Sequence, residues 1–319
     1  MYESGDNMFL EIDIGDQPHN DELLNVQLGA EQRMYLDLHT KVAYECLVSG
    51  EFRPGQALVI VGPRDCGKSV IQHRILTPLF GGRSAKPYLF FKGKTPFNGE
   101  PFEAEHLIIE DDQADTHLQS RRSFGNNIKQ VCANISQVCH PMGFAALTLF
   151  PLWRISITCN DEPENLMILP PIDDSLRDKM MILKGVRKEG PDPMPMPTKT
   201  PGEKRAFEDK LEKELTHYLF DVLKCEMPEH VQSGRYGIKS YLNPEIIQQL
   251  EDRNPEFRLL EYADAYNIFN GDKSWEGTAT EFERDLGNAM GAYSTGRTAL
   301  AKLLYHHDIC GRYLSRLVQ

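Results

Sequence analysis

The sequence predicts an α/β fold with a largely parallel sheet, on three observations. Four short apolar runs have strand length and composition: Ala57-Leu58-Val59-Ile60-Val61, Tyr88-Leu89-Phe90-Phe91, Leu107-Ile108-Ile109 and Ile155-Ser156-Ile157-Thr158. Stretches of helical periodicity alternate with them, which is the order of strand–helix–strand units. The bulk figures are those of a globular chain: 319 residues, 40% hydrophobic and 26% charged, enough for a packed core and for more than one domain. No run of uncharged apolar residues reaches membrane-spanning length, and Met1-Tyr2-Glu3-Ser4-Gly5-Asp6 lacks the basic and apolar pattern of a secretory leader. The 7 cysteines are scattered and form no C-x-x-C pair. Free thiols in a reducing, cytoplasmic setting are therefore expected, without a disulfide framework or structural zinc.

Taken in order, Ala30 to Val48 reads as a helix, because Met34, Leu38, Val42 and Leu47 recur near the helical period. Pro54-Gly55 breaks the chain before the first strand. A glycine-rich turn leads into a helix from Lys68 to Phe80, and a polar helix is expected from Leu118 to Gln137. Between Gly185 and Gly202 five prolines exclude a helix or central strand, so this stretch reads as a linker or long loop. Beyond it Lys204–Leu223 is amphipathic, and Pro244–Leu250 opens another helix. The expected organisation is an acidic arm (1–29), an α/β core (30–185), a proline-rich linker (186–203), a helical region (204–274) and a small terminal unit (275–319).

The net charge of −12 hides opposed blocks. Residues 1–50 carry a local −8, residues 62–95 a local +6, and residues 296–319 a local +3. An overall acidic chain would repel nucleic acid, whereas its two cationic blocks would not.

Chemistry is signalled most strongly by Gly62-Pro63-Arg64-Asp65-Cys66-Gly67-Lys68-Ser69-Val70, which fits G-x-x-x-x-G-K-[ST] between a strand and a helix. Glycines let successive N–H groups curl round phosphate oxygens, and the helix N-terminus adds favourable partial charge. Lys68 is expected to reach the β- and γ-phosphates of ATP, and Ser69 to ligate Mg²⁺. A second strand, Leu107-Ile108-Ile109, ends in Glu110-Asp111-Asp112. Asp111 is the expected metal ligand and Asp112 the acid that orients attacking water, with Glu110–Asp111 as the other register. A third strand ends in Asn160-Asp161, where the Asn160 amide could sense the γ-phosphate.

These pieces, with Ile157-Thr158-Cys159-Asn160-Asp161-Glu162-Pro163-Glu164-Asn165-Leu166, resemble the A, B and sensor-1 motifs of superfamily 3 helicases, of the phage and plasmid primase-helicase type. The likeness continues through Leu169-Pro170-Pro171-Ile172-Asp173, Asp178-Lys179, Arg235-Tyr236-Gly237 and Trp275-Glu276-Gly277-Thr278. It implies an AAA+-like P-loop ATPase core, a helical C-terminal region and a winged-helix-like tail. It also implies a homo-oligomeric ring, normally a hexamer, with ATP and Mg²⁺ between subunits and an arginine supplied by the neighbour. Arg177 is the expected finger, with Arg154 and Arg187 behind it.

Relatives grip DNA with a β-hairpin before sensor 1, here Val138–Leu147, with Met142 where many carry lysine and with Lys129 and His140 as the nearest basic residues. In the tail, Arg297, Lys302, Arg312 and Arg316 would face phosphates, or the same segment would dock on the ring or a partner. The implied function is an ATP-dependent DNA helicase or translocase, acting on single-stranded or forked DNA in replication of a virus, plasmid or mobile element. Any primase, or other replication or defence partner, would be a separate chain, and no membrane is involved. The alternative is an ATP-driven ring scaffold that recruits a partner with little unwinding.

Overall fold

The computed structural model describes residues 18–110, 118–162, 164–187, 200–251, 259, 263, 268 and 277–289. It divides into two units, 1–243 and 244–319.

In the first unit the long helix α1 (Pro18–Ser49) breaks at Gly29, whose φ of 72° and ψ of 167° are not helical. It starts twelve residues before the stretch that periodicity identifies, and the added part buries Leu23, Leu24 and Leu28. Strand β1 (Ala57–Gly62) is buried along its whole length, as expected of a run apolar on both faces. After the loop come α2 (Lys68–Val70), a π-helical turn (Ile71–Leu76) and α3 (Thr77–Leu79), continuous with one another where one regular helix was expected.

Tyr88-Leu89-Phe90-Phe91 is not the predicted strand. The edge strand is β2 (Ser84–Ala85), and the aromatic run forms the helical turn α4 (Tyr88–Phe91), with Pro87 at its N-cap. Tyr88 and Phe91, three apart, are buried while Leu89 is exposed, a helical rather than an alternating pattern. Then follow β3 (His106–Glu110), α5 (Leu118–Ala133), β4 (Gln137–Cys139), β5 (Leu147–Leu149), β6 (Arg154–Asn160), α6 (Asp174–Arg177) and β7 (Met180–Lys184). Strand β7 was not read from the sequence. Its run Met180-Met181-Ile182-Leu183 is short, and two of its four residues are unbranched methionines.

Among the described residues the central sheet has five parallel strands in the order β2-β3-β6-β1-β7. Strand β1 therefore lies inside the sheet, with β6 on one side and β7 on the other. The register pairs Gly62 with Asn160, and Glu110 with Thr158, so that three strands end together beside the glycine-rich loop.

Helix α7 (Pro201–Lys224) opens on a capping box, with Thr200 Oγ1 accepting from Glu203 N and Glu203 Oε2 accepting from Thr200 N. Its buried face, Phe207, Leu211, Tyr218 and Val222, packs into one core with Leu23, Leu24, Leu28, Leu36 and Ala43 of α1 and Leu58 and Ile60 of β1. A buried polar contact fixes that packing: Tyr218 donates to Asp37 Oδ1 at 2.7 Å, and Arg33 Nε donates to the same carboxylate at 2.7 and 2.9 Å. Burial, with Asp37 beside it, holds the Tyr218 hydroxyl well above its usual range. A small antiparallel ribbon, β8 (Gln232–Ser233) with β9 (Gly237–Ile238), follows.

Within the second unit α8 (Pro244–Glu251) buries Ile246 and Leu250, and α9 (Ala279–Ala289) buries Phe282 and Leu286. Thr278 and Glu281 form a second capping box at the start of α9. Trp275 and the tail cations Arg297, Lys302, Arg312 and Arg316 lie outside the described residues. No helix among the described residues is long and apolar enough to cross a membrane.

Candidate active site

The loop from Gly62 to Ser69 closes on itself through its glycines and its lysine. Gly67 has a φ of 93°, which an L side chain resists, and a Cβ on Gly62 would stand 2.5 Å from the Gly185 carbonyl oxygen. The backbone thus approaches β7 more closely than any residue but glycine permits. Lys68 is 6% exposed. Its Nζ donates to Gly62 O at 2.9 Å, Pro63 O at 2.7 Å and Asn160 Oδ1 at 3.0 Å. All three acceptors are neutral, so the buried ammonium is hydrogen-bonded without a carboxylate among these contacts, an arrangement that favours an anion in their place. Cys66 is buried beside it, with its Sγ at 3.6 Å from Gln27 Nε2 and 3.9 Å from Lys68 Nζ. Ser69 is exposed, and Arg64 pairs with Glu162 across the mouth at 3.4 Å.

A cleft of about 930 Å³ opens over this loop. Arg64, Asp65, Gly67, Lys68, Ser69 and Val70 line one side, with Asn160 at the end of β6 and Asn165 in the turn after it, and Thr200, Pro201, Lys204, Phe207 and Glu208 form the far wall. The cleft is of the size that takes a nucleotide-sized ligand. The far wall is the first two turns of α7, which sequence reasoning began at Lys204 and assigned no site role. The signal was present: Thr200-Pro201-Gly202-Glu203 is a capping-box sequence with proline at the first helical position.

Glu110, at the end of β3, accepts from His73 Nε2 at 2.6 Å and from Lys86 Nζ at 2.8 Å. Burial alone would raise its pKa, but the Lys86 and His73 hydrogen bonds and charges outweigh that and lower it. Asp111 and Asp112 lie outside the described residues. Beneath the site a buried polar network joins the π-turn to the strands. Gln72 Nε2 donates to Ser156 O and Oγ, and His106 bridges Thr77 Oγ1 at 2.8 Å and Ser156 Oγ at 2.7 Å. Burial, with a smaller push from the charges of His73 and His39, lowers His106 to about 3, so the ring is neutral.

The remaining predicted residues fall elsewhere. Arg177 lies at the end of α6, pairs with Asp174 at 3.8 Å and does not line the cleft of its own chain. Arg154 cannot act as a finger, because it is buried at the opposite end of β6 from Asn160. There its guanidinium donates to the Trp153 and Arg53 carbonyls and packs against Gly55. Arg187 is exposed just beyond β7.

The hairpin exists as β4 paired with β5, Val138 opposite Thr148, with Gly143 at a φ of 80° near its tip. Asn98 pins its base: Nδ2 donates to Val138 O at 2.8 Å, and Oδ1 accepts from His140 N at 2.6 Å. The His140 ring meets the edge of Phe97 at 5.3 Å, and Lys129 is paired with Asp173 at 3.0 Å. From Gln130 to Trp153 the chain has no Asp, Glu, Lys or Arg. Val138, Met142, Phe144, Leu147 and Phe150 are nevertheless exposed, Met142 and Phe144 to 76% and 73%.

No protein-family model matches this chain, and no curated protein matches it. Among solved structures, the apo structure of the NrS-1 C-terminal region is similar at a TM-score of 0.50 and 11% identity, covering 91% of this chain and 67% of that one. An A-form apo structure of the same region gives 0.50 and 13%, covering 80% and 57%. The chain thus spans 57–67% of the length of these two NrS-1 chains. The JCV helicase, solved with a small molecule bound, reaches a TM-score of 0.32 at 13% identity over 71% of this chain and 64% of that one, a score that carries no fold argument. At these identities the NrS-1 likeness concerns the fold alone. With the parallel sheet and the glycine-rich loop, it describes a P-loop NTPase-like core.

Proposed function

We propose that the chain is an ATP hydrolase of superfamily 3 helicase type, with an AAA+-like core, that couples turnover to movement on single-stranded or forked DNA. One observation carries this reading. Lys68 and Asn160, 92 positions apart, meet at 3.0 Å at the floor of a nucleotide-sized cleft whose loop only glycine can build.

In this reading Lys68 exchanges its carbonyl partners for β- and γ-phosphate oxygens, and the loop N–H groups hold the phosphate chain. Hydroxyl and carboxylate oxygens are the donors Mg²⁺ takes: Ser69 and Asp111 would hold it, and its charge would offset that developing on the transferred phosphate. Asp112 or Glu110 orients the attacking water, and Asn160 positions it. Phe207 and Pro201 give the far wall an apolar surface for a base, flanked by Lys204 and Glu208. Arg177 would act on a neighbouring copy in a homo-oligomeric ring, probed by its loss affecting turnover but not nucleotide binding. Lys129, His140 and the tail cations Arg297, Lys302, Arg312 and Arg316 are the proposed DNA contacts, the tail as a winged-helix-like unit. A separate primase, or another replication or defence protein, is the proposed partner.

A second reading is favoured by the hairpin. Its exposed, uncharged surface, with Met142 at the tip, suits protein contact better than phosphate contact. The chain would then be a nucleotide-driven ring scaffold with little unwinding. One assay separates the two: ATP hydrolysis with and without single-stranded DNA, followed by strand displacement on a forked duplex. DNA stimulation that weakens with salt supports the motor. No DNA binding at low salt and no unwinding supports the scaffold.

A further inference from the structure

Of the two residues read as able to orient water, Asp112 and Glu110, the second closes β3, and its partners there bear on its role. The Glu110 carboxylate is taken on both oxygens, Oε1 by His73 Nε2 at 2.6 Å and Oε2 by Lys86 Nζ at 2.8 Å. His73 lies in the π-turn that continues the P-loop helix, and Lys86 follows the edge strand β2. A single side chain therefore ties β3 to the P-loop helix on one side and to the sheet edge on the other. The adjacent residue of the π-turn, Gln72, makes the equivalent tie to β6 through Ser156, and Thr158 Oγ1 donates to its Oε1 at 3.3 Å. Widened turns of this kind recur at functional sites, and this one sends neighbouring side chains to different targets. Here the two targets are the strands that end in Glu110 and in Asn160. The Glu110 carboxylate thus has a protein donor on each oxygen and does not line the cleft, so it is placed to hold the strand end rather than to orient water there.

We propose that Glu110 is a positioning residue and not the water-orienting base: His73, with Lys86, clamps it, and the clamp fixes the end of β3 from which Asp111 and Asp112 continue. This rests on the ATPase reading above. His73 is a positioning residue too, acting on the reaction only through Glu110. The clamp uses hydrogen bonds that an amide can replace, because the His73 ring nitrogen donates or accepts according to its tautomer and a glutamine offers both functions.

The test is steady-state ATP hydrolysis with Mg²⁺ by the full chain and its variants His73→Ala, His73→Gln, Glu110→Ala and Glu110→Gln. The clamp predicts that both glutamine variants keep kcat within about threefold of the unsubstituted chain. It predicts that both alanine variants lower kcat about tenfold with KM for ATP unchanged, and that the double alanine variant is no slower than either single one. A fall of about 100-fold in Glu110→Gln, equal to that in Glu110→Ala, makes Glu110 the base and overturns the clamp. Independent, multiplicative losses in the double variant overturn it as well. The glutamine variants keep the test open if the alanine variants fold poorly. Failure of the underlying reading is distinguishable, since it appears as no hydrolysis by the unsubstituted chain above that of Lys68→Ala.

Discussion

At the loop end of the sheet, polar groups are buried and partnered; on the hairpin, apolar groups are exposed. Lys68 and Asn160 are almost out of solvent yet bonded to each other, and Glu110 is held from two sides. Met142 and Phe144 project from a ribbon of two three-residue strands, within a stretch that carries no carboxylate, ammonium or guanidinium group. Each region departs from the usual rule of apolar inside and polar outside, in opposite directions. Folding stability alone selects neither arrangement. The contrast teaches that the two regions are tested by different measurements: the first by turnover, the second by association.

The largest expected effect lies in the first region. Lys68→Ala removes the ammonium around which the loop is closed, and ATP turnover should fall at least about 100-fold. Unchanged hydrolysis would break the assignment of the cleft as a nucleotide site. Asp112→Asn should retain nucleotide binding, read by fluorescent-nucleotide titration, while losing turnover by about 100-fold. Full activity in that variant would return the role to Glu110.

Two buried histidines, His106 in the network beneath the site and His39 against the Gln56 carbonyl oxygen, predict acid sensitivity. Burial lowers His39 to about 4 and His106 to about 3, whereas an unfolded chain titrates its histidines near about 6.5. The unfolded state thus binds the extra protons first, so stability is complete above about pH 6.5 and is lost as pH falls toward 4. Each group costs on the order of 1 kcal/mol per pH unit over that window. Melting temperatures at pH 7.5 and pH 5 measure it, and a flat profile would show that these rings are not held neutral.

Tyr218→Phe should cost about 1–3 kcal/mol in thermal or denaturant unfolding, because Asp37 keeps Arg33 but loses a buried donor. The smallest effect is expected on the hairpin. Met142→Ser with Phe144→Ser should change folding stability by no more than about 0.5 kcal/mol, since neither side chain is packed in the single chain. The same variant should weaken association, with itself or with a partner, measured by sedimentation. A clear loss of folding stability instead would mean that the tip is part of the core.

How much of this was legible depends on the kind of signal. Ala57–Val61 and Ile155–Thr158 were read correctly as strands because β-branched runs bounded by turn residues have few other uses. Tyr88–Phe91 was misread because four apolar residues carry no period long enough to tell a strand from one helical turn. Met180–Leu183 was missed for the related reason that methionine has no strong backbone preference. In the site, Gly62–Ser69 declared itself, since a glycine-rich turn with lysine needs few residues to be specific. His73, Lys86 and the α7 wall did not, because nothing local in a histidine or a capping box says what it will face.

By itself, then, the sequence determined the elements that depend on neighbours in the chain, the buried strands and the glycine-rich loop; the proline-rich stretch lies largely outside the described residues. Only the tertiary structure decided that β6 would lie between β1 and β3, which sets Asn160 against Lys68. It also took Arg154 out of contention, gave the cleft its second wall and closed the His73–Glu110 contact. These outcomes depend on strand order and on helix packing, which are set by burial and hydrogen bonding between segments far apart, and a local pattern carries no record of them.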